Sequence, residues 1–199
     1  MNVIFLDFDG VLVTLSDPLD AEHLYPIVEK RIMLLAEICK EFNCKIVIEA
    51  SAKDAIDEET MEIYPDSKWV QFVFSMFEKY GIECIGRTPN VSIKTGKNSE
   101  IPMWKEDEIR LYLFRHPEIE HYCVLDDDDI TNLFRWKNSD LKKVKDHLVS
   151  PLYYVDAHPE EEGLLPKHKE QIGEVLKKEN KIRQMVLNRK NIKGDNIWH

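Results

Sequence analysis

The feature that most constrains this chain is a set of short apolar runs that alternate with helical stripes. Asn2–Leu6 is compact and apolar and reads as a buried parallel strand. From Val28 to Phe42, residues Val28, Ile32, Leu35, Cys39 and Phe42 recur at helical spacing, and Cys44–Ile48 follows as a second strand. Trp69, Val73, Met76, Phe77 and Tyr80 form a second stripe closed by Gly81, after which Ile82–Ile85 reads as a third strand. A polar loop up to Pro102 leads to a third helix, Glu106–Arg115, stopped by Pro117. His121–Leu125 and Leu152–Val155 read as the fourth and fifth strands, and the chain is helical from about Pro166. This order predicts an α/β fold: a Rossmann-like parallel sheet of about five strands with helices on both faces.

In such sheets ligands sit at the carboxyl ends of the strands, and two of those ends are acidic. The first strand runs into Asp7-Phe8-Asp9-Gly10-Val11, and the fourth into Asp126-Asp127-Asp128-Asp129. Read alone, the first string is equally a strand-to-loop turn marked by acids and a glycine. An acidic run is likewise most often a solvated face. Together they say more. Two acidic strand ends facing each other repel unless a cation lies between them, and oxygen-only ligands suit Mg²⁺. Of two carboxylates spaced like Asp7 and Asp9, one can attack phosphorus while the other protonates a leaving oxygen.

These motifs resemble the haloacid-dehalogenase (HAD) superfamily, whose signature is DxDGV/T after the first strand and a DD-type motif after the fourth. The resemblance implies that Asp7 is the nucleophile and Asp9 the general acid/base. It also implies that Mg²⁺ is held by Asp7, the Asp9 main-chain carbonyl and Asp126 or Asp127. Asp9 favours phosphatase chemistry over dehalogenation. For the family's hydroxyl after the second strand the candidate is Ser51, which is otherwise an N-cap or loop serine. For the cation it is Lys105, with Lys94 and Lys97 as rivals, each otherwise a solvated lysine. A subgroup is closer: the small HAD domains of Swiss-army-knife RNA repair proteins. Gly86-Arg87-Thr88-Pro89, Lys105 with Glu108-Ile109, Leu125-Asp126-Asp127 and Gly163-Leu164 carry that similarity, from Asn2 to about Leu176. Glu49-Ala50 and Ala52-Lys53 depart from the subgroup's hydroxyl-rich segment ending in Trp-Arg.

Fewer than twenty residues separate Val11 from the first helix, so no large cap domain is expected. A capless site admits large phosphorylated substrates, such as an RNA or DNA end or a phosphoprotein. The expected division is a catalytic domain over residues 1–176 and a basic helical tail over 177–199. That tail carries Lys177, Lys178, Lys181, Arg183, Arg189, Lys190 and Lys193. The net charge of -10 argues against non-specific coating of nucleic acid. Four scattered cysteines without a CxxC pair read as reduced structural thiols of a cytosolic protein rather than zinc ligands. No apolar stretch is long enough to span a bilayer. The expected activity is that of a Mg²⁺-dependent phosphatase. The alternative is a catalytically impaired relative that binds phosphorylated partners, motivated by Glu49 and the missing hydroxyls. A nucleotide-binding α/β module is disfavoured by the absence of a phosphate loop.

Overall fold

The computed structural model describes residues 1–18, 28–94, 100–102, 105–128 and 142–194. Among the described residues five parallel strands form one sheet, ordered across it as Cys84–Arg87, Cys44–Ile48, Asn2–Leu6, His121–Leu125 and Leu148–Val149. They are β1 (Asn2–Leu6), β2 (Cys44–Ile48), β3 (Cys84–Arg87), β6 (His121–Leu125) and β7 (Leu148–Val149). The helices are α1 (Glu29–Phe42), α2 (Lys68–Tyr80), α3 (Lys105–Arg115), α4 (Pro166–Val175) and α5 (Lys181–Gly194). The predicted α/β class and two-faced sheet hold.

The alternation of side chains along β1 explains the two faces. Ile4 and Leu6 lie in one core with Ile32 and Leu35 of α1 and Ile172 of α4. Val3 and Phe5 lie in the other, with Ile109 and Leu113 of α3 and the packed Ile182 of α5. The tail helix α5 is tied to the body as well: Asn180 donates to the Ile119 carbonyl, and Arg183 Nε to that of Pro117. The side chains of Arg189, Lys190 and Lys193 lie outside the described residues.

Three strand assignments differ from the sequence expectation. The third strand begins two residues late because Ile82 belongs to the end of α2. Its N–H donates to the Phe77 carbonyl, while Gly81 takes φ 69°, the pattern of a left-handed helix cap. The fifth strand is Leu148–Val149, paired with Val124 and Leu125, and not Leu152–Val155. Pro151 cannot donate to a ladder, and Leu152, Tyr153 and Tyr154 beyond it are exposed. The loop before α3 contains a small antiparallel ribbon, β4 (Ser92–Lys94) with β5 (Glu100–Pro102). Three residues a side leave no period to detect.

Between β1 and α1 the described residues form turns and a single β-bridge between Asp9 and Val13. Among the described residues no helix is long and apolar enough to cross a membrane. Cys39, Cys44 and Cys123 are buried, Cys84 is half-buried, and none is in a disulfide. Burial pushes the Cys39, Cys44 and Cys84 thiols up to about 12, the behaviour of inert packing groups.

Candidate active site

Register builds the site. Leu6 pairs with Ile48 on one side and with Leu125 on the other. The next residue of each strand is an acid: Glu49 after β2, Asp7 after β1, Asp126 after β6. The Glu49 N–H donates to the Leu6 carbonyl at 2.9 Å, and the Asp7 N–H to the Leu125 carbonyl at 2.9 Å. Three adjacent strand ends therefore deliver three carboxyl groups at one level of the sheet, all of them buried.

Lys105, the first residue of α3, reaches all three. Its Nζ lies 2.5 Å from Asp7 Oδ2, 2.8 Å from Asp126 Oδ2 and 3.8 Å from Glu49 Oε2. The other oxygens of the two aspartates are taken by main-chain donors. Asp7 Oδ1 accepts from Phe8 N at 2.7 Å, and Asp126 Oδ1 from Asp128 N at 3.0 Å. Each carboxylate is thus fixed by the backbone on one side and presents its second oxygen to the ammonium.

Phe8 anchors the first loop from beneath, edge-on to Trp69 and Phe77. Its carbonyl accepts from the N–H groups of Val11, Leu12 and Val13, so the chain turns at once. That turn separates Asp7, which is buried, from Asp9, which is exposed. Gly10 has φ 70°, and a Cβ there would meet Asp127 Cγ at 2.2 Å. Glycine is what lets Asp127 close over the first loop.

Oxygens of Asp7, Asp126 and Asp127 all lie within 4.8 Å of one another, a grouping suited to a cation. An all-oxygen set of three carboxylates fits a hard divalent ion. Asp9 stands outside these side-chain oxygens; its expected ligand is its main-chain carbonyl. The charges are crowded accordingly. Burial, with Asp126 beside it, raises Asp7 to about 6 against the pull of Lys105. Burial also raises Asp126, and burial with Asp128 and Asp7 raises Asp127 to about 6. For Lys105, burial works to lower the pKa, but Asp7 and Asp126 overcome it and hold the ammonium charged.

Ser51 opens a 3₁₀ turn (Ser51–Ala55) and is exposed. The side chain of Lys94 and the whole of Lys97 lie outside the described residues, and of the three lysines only Lys105 is described at Asp7. Glu49 departs from the subgroup's hydroxyl-rich segment. Its side chain is fully buried, and among the described residues neither oxygen has a hydrogen-bond partner. Behind it Lys53 Nζ lies 3.7 Å from Glu49 Oε1, is ion-paired with Glu108, and donates to Thr88 Oγ1 at 3.3 Å. Arg87 bonds the Thr88 carbonyl and sits 3.8 Å from Glu58. A signal for Glu49 existed: its apolar run ends in an acid just as those before Asp7 and Asp126 do.

Burial raises Glu49 from an ordinary 4.5 to about 8, with Lys105 and Lys53 opposing and Asp126 and Asp7 assisting. The folded chain thus keeps a proton that the unfolded chain has lost, and stability falls as pH rises from about 4.5 to about 8. Glu49→Gln removes that loss. Its stability relative to wild type should climb steadily across this window, by a few kcal/mol at most, with the melting temperature rising in step. Scanning calorimetry in EDTA across this range tests it, and a flat difference would refute it.

Gly163 and Leu164 close the loop from the far side, with Leu164 N donating to the Val11 carbonyl at 2.8 Å. No curated protein and no solved structure is a significant match to this chain. A family model matches residues 3–156, which span both acidic strand ends, and the chain belongs to the family described as the HAD domain in Swiss Army Knife RNA repair proteins.

Proposed function

We propose that this protein is a Mg²⁺-dependent phosphomonoesterase that works through an aspartyl-phosphate on Asp7 and acts on phosphorylated nucleic-acid ends. The observation that carries this reading is the meeting of Asp7, Asp126 and Asp127 within 4.8 Å, with Lys105 2.5 Å from the nucleophile. Asp7, Asp126 and Asp127 would hold Mg²⁺, which supplies charge neutralisation for the phosphoryl oxygens. Asp7 Oδ2 attacks phosphorus, and the bond to the ester oxygen breaks. Asp9 gives its proton to that leaving oxygen. Asp9 then takes a proton from a water that attacks the same phosphorus, breaking the bond to Asp7 and releasing inorganic phosphate. Lys105 holds Asp7 in line and offsets its charge.

The substrate class is supported by the family's description as RNA repair proteins and by the access to the site. Asp9 is exposed, Asp127 is half-buried, and the described residues between β1 and α1 add only turns and one β-bridge. A relative without turnover is favoured by one fact: Lys53, where the subgroup's segment ends in Trp-Arg, is already engaged by Glu108 and Thr88 and is not presented to phosphate. One assay separates the two. Hydrolysis of 5′- or 3′-phosphorylated oligoribonucleotides should require Mg²⁺, stop with EDTA, and exceed sugar-phosphate hydrolysis in kcat/KM by about tenfold, roughly the value of one or two good contacts. Equal turnover of sugar phosphates would overturn the substrate, and no Mg²⁺-dependent turnover on any ester would overturn the phosphatase.

A further inference from the structure

Glu49 is the group that the proposed reaction leaves unused. Its side chain is fully buried at the end of β2, and among the described residues both oxygens lack a hydrogen-bond partner. A buried carboxyl in that state costs free energy, so a native chain that keeps one calls for a reason. Two ammonium groups flank it and neither bonds it: Lys53 at 3.7 Å and Lys105 at 3.8 Å. Lys53 is held elsewhere, by Glu108 and Thr88. Lys105 is held by the same aspartates that form the candidate cation site, through the one oxygen of each that the backbone leaves open.

That sharing sets up a competition. A divalent ion drawing on Asp7 and Asp126 weakens the hold of both on the ammonium. The Lys105 side chain is only 33% exposed, so a displaced ammonium is best satisfied by another acceptor within the site. Glu49 Oε2 lies about 1 Å beyond hydrogen-bond distance, a shift within reach of a lysine rotamer change.

We propose that Glu49 is a positioning residue for Lys105: the acceptor that takes up its ammonium when a divalent cation engages Asp7 and Asp126. This rests on the Mg²⁺ site of the proposed function. Glu49 then keeps Lys105 beside the nucleophile while relieving its competition with the ion. In this role a carboxylate at the second strand end is a part of the machinery and not a loss from it.

Calorimetric titration of Mg²⁺ into wild type, E49L, E49Q, K105M and the E49L/K105M double variant tests this without recourse to activity. E49L should weaken Mg²⁺ binding roughly fivefold or more, the size of coupling expected within one charged network. E49Q, which keeps a neutral acceptor oxygen at the same volume, should fall between it and wild type. K105M should tighten binding. In the K105M background E49L should change the affinity by less than about twofold, because Glu49 then has no ammonium to hold. Equal effects of E49L in both backgrounds would overturn the proposal, since packing or direct attraction would then explain them. Unchanged affinity in both E49L and E49Q would overturn it too. Should E49L fail to fold, E49Q with E49Q/K105M carries the same comparison. A wild type that binds no Mg²⁺ would sink the proposed function as well, whereas a wild type that binds it with E49 variants unaffected would sink this inference alone.

Discussion

Asp7→Asn should lower kcat by roughly 10⁴-fold or more while leaving the fold intact, and should not cost stability. The kinetic part follows from the proposed chemistry. An amide cannot form the phosphoryl ester through which the reaction is divided into two steps, and water alone replaces it poorly. The stability part follows from the crowding at three strand ends. Asp7 is buried beside Asp126 and its pKa is raised to about 6, so its charge is disfavoured where it stands. Asparagine keeps the shape, and its side-chain oxygen can still accept from Phe8 N, the bond that now fixes Asp7 Oδ1. What it gives up is the ion pair with Lys105, which still has Asp126 at 2.8 Å. Melting temperature should therefore hold or rise near neutral pH as activity vanishes. Steady-state kinetics with Mg²⁺ and a thermal melt on the same preparation check both halves. Residual turnover within tenfold of wild type would remove Asp7 as nucleophile, and a large fall in melting temperature would refute the account of its charge.

The parts of this architecture that were legible in the sequence are those whose signal is contained in one segment. Val3–Leu6 and Tyr122–Leu125 are buried on both faces, so they read as unbroken apolar runs, and their acids mark the strand ends directly. The stripes of α1 and α2 are legible for the same reason. Leu148–Val149 was not, because a two-residue strand is defined by its partner β6 and not by its own pattern. The apolar run at Leu152–Tyr154 misled because nothing in a sequence separates a surface aromatic cluster from a strand. Glu49 shows the same limit at the site. Its acid-after-strand position was visible, but its meaning depends on the register that sets Ile48 beside Leu6, and on the helix start that brings Lys105 within 3.8 Å. Ser51, singled out by its residue type, opens an exposed 3₁₀ turn just after β2.

Gly10→Ala should produce the second largest loss, for a reason that lies wholly in backbone geometry. At φ 70° an alanine is strained by about 1–2 kcal/mol wherever it stands. Here the added methyl would also lie 2.2 Å from Asp127 Cγ and 2.6 Å from its Oδ1, far inside van der Waals contact. Asp127 is half-buried whereas the Gly10 backbone is buried, so the Asp127 side chain is the group that gives way. Moving it takes one of three carboxylates out of the 4.8 Å cluster, and leaves Asp7 and Asp126 with Lys105. Displacement of about 1 Å in a reacting constellation is enough to cost on the order of 10²-fold in rate. The expected result is a fall in Mg²⁺ affinity with a drop in kcat of that order, on a protein that still melts cooperatively. Asp127→Asn should reproduce the metal effect without the backbone strain, so its melting temperature should stay above that of Gly10→Ala. If Gly10→Ala bound Mg²⁺ as tightly as wild type, Asp127 would not be a ligand, and the cation would rest on Asp7, Asp126 and main-chain oxygen alone.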